Sequence, residues 1–287
     1  MRIDVVKNAG FCFGVKRAIR MASEAAHSRP RPVYTLGPLI HNPQVVRKLA
    51  DEGVVAVPSL SDVESGTVIV RSHGVDPRIV DEARRRGIEI VDATCPFVQN
   101  AQRYARLLGE RGYLTVVVGE ASHPEVQGIL GHAGKSSRVV AEEADVERLG
   151  AQPAIGVIAQ TTLSEEYFSK IVALLVEKTR ELVVYNTICS STASIQEATR
   201  EVARKADVMV VVGGRNSANT TRLARICRRT GRPTYHIETD SELKTEWFGS
   251  AASVGVTAGA STPEWLVQDV VRGLERIAGM KYDVGST

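Results

Sequence analysis

The chain reads as an α/β protein built from three similar α/β units with mainly parallel sheets, and three observations predict this. Short β-branched runs alternate with amphipathic helical stretches along all 287 residues. Three cysteines, Cys12, Cys95 and Cys189, each stand between a run that reads as a strand and one that reads as a helix. A polar loop then recurs at almost the same offset behind each of them, from Cys12 to His41, from Cys95 to His123 and from Cys189 to Ser217.

The strands expected before the cysteines are Ile3–Val6, Ile88–Val91 and Leu182–Tyr185. The helices expected after them cover Val15–Ala26, Val98–Arg111 and Ile195–Ala206, where Ala, Leu, Val and Tyr recur at helical spacing. Each unit continues with a strand, Pro32–Leu36, Tyr113–Val118 or Val208–Val212, that runs into the loops carrying His41, His123 and Ser217. Helices Gln44–Glu52, Val126–Ala133 and Thr220–Arg229 follow. A further strand comes next, Val68–Val70, Ala154–Ile158 or Val254–Val256, and opens into Arg71–Gly74, Gln160–Thr162 and Ala258–Pro263. Helices Arg78–Arg86, Glu165–Lys178 and Glu264–Ile277 close the units, the last with Pro263 at a helix-start position. No strand follows the third closing helix, so the simplest arrangement pairs the unclaimed Ile3–Val6 with the third unit. The expected division is 13–95, 96–189, and 190–280 together with 1–12, with 281–287 as a C-terminal tail.

An apolar content of 43% supplies an ordinary globular core. The formal charge of +3 is too small to imply nucleic acid but would welcome a small anion. No apolar run is long enough to span a membrane, and Met1–Lys7 lacks the apolar stretch of a signal peptide, so a cytoplasmic location is expected. In that compartment the four cysteines read as metal ligands, catalytic groups or buried thiols rather than disulfides.

Ligands of parallel sheets bind beyond the carboxyl ends of the strands, where the three cysteines and the polar loops all fall. A thiol at a helix start faces unpaired N–H groups that favour thiolate. Three thiolates suit a cubane iron-sulfur cluster, leaving one of its irons open to substrate. Burial as small hydrophobes and a structural zinc held with one His are the competing readings. Cys227, inside a helical run and without a counterpart in the other units, reads as packing.

His41, His73, His123, Thr161, Thr162, Ser217, Asn219, Ser261 and Thr262 form a set of donors suited to phosphate oxygens; helix capping is the plainer use of several. Glu125 is the one carboxylate among them. Out of water beside a diphosphate it would keep its proton and act as a general acid; otherwise it is a first-turn acid favoured by the helix dipole.

Seven segments carry a resemblance: Ala9–Ala18 around Cys12, Gly37–Asn42, Ser72–Val75, Asp92–Val98 around Cys95, His123–Val126, Gln160–Ser164 and Gly255–Ser261. In that order and at that length they resemble the 4-hydroxy-3-methylbut-2-enyl diphosphate reductase (LytB) family over nearly the whole chain. The resemblance implies a pseudo-threefold, three-lobed fold around a central [4Fe-4S] cluster on Cys12, Cys95 and Cys189. It also implies an allylic diphosphate held by His41, His73, His123, Ser217, Asn219 and Ser261, with Thr161 near the cluster and Glu125 delivering protons. The electron donor would be a ferredoxin or flavodoxin. Two departures stand out. Ala218 occupies a position where the family usually has a second serine, keeping the backbone amide but losing a hydroxyl, and the segment after Cys189 diverges around Ile195–Gln196. A non-catalytic iron-sulfur sensor, a paralogue with another allylic diphosphate and a zinc-stabilised phosphohydrolase are the rival functions.

Overall fold

The computed structural model describes residues 1–283. The first stretch contains β1 (Arg2–Val5), α1 (Phe13–Ser28), β2 (Val33–Leu36), α2 (Pro43–Asp51), β3 (Val54–Val57), β4 (Thr67–Val70), α3 (Pro77–Arg85) and β5 (Glu89–Asp92). The second contains α4 (Pro96–Glu110), β6 (Leu114–Val118), α5 (Pro124–Ala133), β7 (Ser137–Val140), α6 (Glu143–Arg148), β8 (Gln152–Ala159), α7 (Glu165–Val176) and β9 (Thr179–Tyr185). The last contains α8 (Ser190–Lys205), β10 (Val208–Val212), α9 (Ala218–Arg229), β11 (Thr234–Ile237), β12 (Ser253–Ala258) and α10 (Glu264–Asp283). α10 therefore runs past Ile277 and takes in the first residues of the expected tail, whose remainder, 284–287, lies outside the described residues.

The strands form three four-stranded sheets with orders β3-β2-β4-β5, β7-β6-β8-β9 and β11-β10-β12-β1, and every pairing is parallel. The three orders are one pattern. β1 takes in the third sheet the place that β5 and β9 take in the others, pairing Arg2 with Ser253 through Val5 with Val256. Helical crossovers between adjacent parallel strands account for the parallel geometry. The sequence reading found three strands per unit, and the structure adds an edge strand to each, β3, β7 and β11, together with the one-and-a-half-turn α6.

The chain divides into two compact bodies. One comprises residues 1–13, 41–45 and those from Ser190 onward; the other comprises 14–40 and 46–189. In the first body, alternate side chains of β10 serve opposite cores, as a period of two requires. Val208, Val210 and Val212 pack with Val254, Val256, Phe248 and, from α10, Val270 and Leu274. Met209 and Val211 pack with Ile195 and Ala203 of α8 and with Leu223 and Cys227 of α9.

The second body holds two sheets. Val116, Val118, Ile155 and Val157 face Phe168, Ile171 and Leu175 of α7, whereas Val117 and Ile158 face Ala101, Ala105 and Leu108 of α4 and Val126 and Ile129 of α5. α4 meets α5 closely because Gly109 has no side chain: a Cβ there would lie 2.3 Å from the Ala133 carbonyl oxygen. Among the described residues no helix is long and apolar enough to cross a membrane.

Candidate active site

Each of the three repeated cysteines is the residue immediately before a helix, α1, α4 or α8. Cys95 is the clearest case, an extended N-cap residue followed by Pro96, whose missing N–H costs nothing at a helix start. All three amides are tied in the same way. Cys95 donates its N–H to Ser72 O at 3.0 Å, Cys189 to Thr161 O at 2.9 Å and Cys12 to Ala260 O at 3.1 Å. These acceptors lie just beyond β4, β8 and β12. Ser72 precedes His73 and Ala260 precedes Ser261, so each tie joins a cysteine to a loop that carries a candidate substrate residue. Cys12 and Cys95 are half-buried and Cys189 is buried. Cys227 differs: it is completely enclosed by apolar side chains, and burial pushes its thiol up to about 12, which makes it a packing residue.

In the second body, Glu125 sits in the first turn of α5 and is 2% exposed. Thr161 occupies both carboxylate oxygens, its backbone N–H donating to Oε1 at 2.6 Å and its hydroxyl to Oε2 at 2.8 Å. Burial drives the Glu125 pKa up to about 7, against the opposing pull of the two Thr161 bonds. The group is thus balanced between holding and giving up a proton near neutrality. Thr161 also accepts from the Cys189 amide, so one residue fixes both the acid and the backbone of a cysteine.

His123 caps α5, its Nδ1 accepting from the Glu125 N–H at 3.1 Å. That bond assigns the proton of the neutral ring to Nε2. The ring of His73 meets that of His123 edge to face, with centroids 5.5 Å apart. His73, His123, Glu125, Thr161, Cys95 and Cys189 all belong to this body.

The other body holds Cys12, His41, Ser217, Ala218, Asn219 and Ser261. Ser217 caps α9 by accepting from Thr220 N–H at 3.3 Å, which leaves its own hydroxyl proton available. Ala218 opens the helix. Among the described residues Asn219, 5% exposed in the first turn, has no hydrogen-bond partner for either side-chain atom. A buried amide left so is costly, and an oxygen-rich ligand would satisfy its N–H groups. The Ser261 hydroxyl donates to His41 O at 3.2 Å, and Gly214 makes room for that carbonyl, since a Cβ there would lie 2.7 Å from it. The donors are of a kind that suits an anion, and a thiol at a helix start is of a kind that suits a sulfur-ligated cluster.

A family model described as LytB protein matches residues 3–275. The chain belongs to the LytB family. Curated LytB relatives include the 4-hydroxy-3-methylbut-2-enyl diphosphate reductases of Pelobacter propionicus, 51% identical over 94% of this chain and 96% of that one, and of Trichlorobacter lovleyi, 49% identical over 96% and 99%. Among solved structures, (E)-4-hydroxy-3-methyl-but-2-enyl diphosphate reductase, described as the terminal enzyme of the non-mevalonate pathway, matches with a TM-score of 0.71 at 40% identity, covering 96% of this chain and 100% of that one. The E-1-hydroxy-2-methyl-but-2-enyl-4-diphosphate reductase of Plasmodium falciparum matches with a TM-score of 0.90 at 28% identity, covering 94% and 87%.

Reading this LytB sequence alone missed the contributions of Ser72 and Ala260, which act through backbone carbonyls, and of Asn42, a 1%-exposed residue that caps α2 through its Oδ1. For the carbonyls no side-chain signal exists. Asn42 was findable, because Asn before a Pro-initiated helix is a capping signature.

Proposed function

We propose that this chain is a 4-hydroxy-3-methylbut-2-enyl diphosphate reductase, the terminal enzyme of the non-mevalonate isoprenoid pathway, working in the cytoplasm. The reaction removes the substrate's hydroxyl as water at the expense of two electrons and two protons, giving isopentenyl and dimethylallyl diphosphate. In this reading Cys12, Cys95 and Cys189 hold a [4Fe-4S] cluster, one cysteine from each of the units 13–95, 96–189 and 190–280 with 1–12. When bound, the cluster supplies the electrons and an open iron for the hydroxyl. A ferredoxin or flavodoxin recharges it.

The rest falls to the protein. His41, His73, His123, Ser217, Asn219 and Ser261 take the diphosphate oxygens, with the Ala218 amide at the start of α9 adding a backbone donor. Thr161 touches the substrate at the hydroxyl end. Glu125 carries the proton at its carboxyl oxygen, and Thr161 keeps that oxygen aimed. The observation that carries the reading is Glu125 itself: a carboxyl shut away from water, gripped by a residue that also holds the Cys189 amide, and raised to about 7. A protein that only sensed redox state would need the thiolates but not this acid.

Iron and sulfide analysis of anaerobically prepared protein tests it. About four of each per chain are expected, and Cys→Ser at position 12, 95 or 189 should abolish both them and turnover. Full activity in a colourless, iron-free chain would overturn the assignment.

A further inference from the structure

The ties that hold Cys95 and Cys189 are built on one plan with one substitution. Three residues before each cysteine, a side-chain oxygen accepts from the amide just before the cysteine: Asp92 Oδ1 from Thr94 N–H at 2.9 Å, and Asn186 Oδ1 from Ile188 N–H at 3.1 Å. Two residues before Cys95, Ala93 extends the sheet by an ordinary ladder bond, its N–H donating to Val70 O at 3.1 Å. Two residues before Cys189 stands Thr187, which works through its side chain. The Thr187 hydroxyl donates to Ala159 O at 2.5 Å and accepts from Ala159 N–H at 2.9 Å. Both residues are buried, Thr187 at 3% exposure and Ala159 at 0%.

The register explains the position. The last β8–β9 pair is Ile158 with Tyr185, so β9 has ended where Ala159 directs both backbone groups, and Thr161 its carbonyl, toward the chain that follows it. The Thr187 hydroxyl serves both groups of Ala159. Two residues on, Thr161 sends its carbonyl to Cys189 and its N–H to Glu125.

We propose that Thr187 is a positioning residue whose hydroxyl stands in for the missing strand, and so sets where Thr161 holds both Cys189 and Glu125. Its bearing on the reaction rests on the roles given above to those two residues; the clamp itself does not.

The test pairs Thr187→Val, which keeps the shape and removes the hydroxyl, with Thr187→Ser, which keeps the hydroxyl. In the full-length chain freed of iron, the Val variant should alkylate Cys189 with iodoacetamide about tenfold faster relative to Cys95 of the same molecule, whereas the Ser variant stays within about twofold of the parent. In the loaded enzyme the Val variant should lose kcat about tenfold while KM stays within about twofold, because most diphosphate donors lie on other loops. Equal Cys189 reactivity in Val variant and parent, or a Ser variant as impaired as Val, would overturn the clamp. Should the Val variant fail to fold, hydrogen exchange on the unaltered chain decides: the Ala159 amide must exchange as slowly as the interior of β8, and loop-like exchange sinks the proposal. Passing these tests in a chain without reductase activity upholds the clamp and refutes the functional reading instead.

Discussion

At the start of α5, His123 caps the helix and the residue two places on, Glu125, turns its carboxylate into the interior; at the start of α9, Ser217 caps and Asn219 does the same with an amide. Both side chains are polar, buried and at the same helical position. Glu125 is fully engaged by Thr161, whereas Asn219 has no partner for either side-chain atom among the described residues. A satisfied buried group has a fixed pose and a protein-tuned affinity for its proton; an unsatisfied one carries a desolvation cost that a ligand can repay. In the proposed function, one scaffold element thus serves as a proton holder in one repeat and as a ligand holder in another.

The sharpest way to break this contrast is Glu125→Gln, which keeps the shape and the bond from the Thr161 N–H but not the acidic proton. The Thr161 hydroxyl must turn to accept from the new amide N–H; the variant should lower kcat by at least about a hundredfold with KM within about twofold, measured by steady-state kinetics with a chemical reductant. Asn219→Ala should do the reverse, raising KM on the order of tenfold to a hundredfold with little effect on kcat. The same variant should leave the thermal midpoint of the ligand-free chain undiminished, since no hydrogen bond is lost.

A pH series sharpens the difference further. Because burial raises Glu125 from 4.5 to about 7, the folded state holds its proton more tightly than the unfolded chain does. The associated stability is fully present below about 4.5, is lost as pH rises toward about 7 and is level above that. Denaturant titrations should show this slope in the parent and in the Asn219 variant, and its absence in Glu125→Gln. Turnover should likewise fall as pH passes about 7. The smallest effect is expected of Ala218→Ser, where restoring a hydroxyl beside Asn219 should lower KM by about twofold to tenfold.

Much of this was legible from residue order. Cys12, Cys95 and Cys189 could be placed because a strand-to-helix joint leaves a strong local signature, and Glu125 because a lone acid among donors is conspicuous. The edge strands were not. Ser137–Val140 and Thr234–Ile237 are four residues long and half-solvated, so neither alternation nor an apolar run marks them. Val54–Val57 is apolar but short, and directly follows a helix. Thr187 was unreadable for a different reason: its contribution depends on β9 stopping at Tyr185, a fact of register rather than of composition.

β1 has a consequence for biosynthesis. Its partner β12 lies downstream of the whole of the other two sheets, so during translation Arg2–Val5 must wait, unpaired, while the intervening chain emerges and folds. Until Ser253–Ala258 and the turn at Ala260 are released from the ribosome, the Cys12 amide lacks its Ala260 acceptor. In the proposed function, loading at this thiol follows the emergence of β12, and a short deletion upstream of Cys12 should leave two sheets intact while disturbing that one cluster ligand.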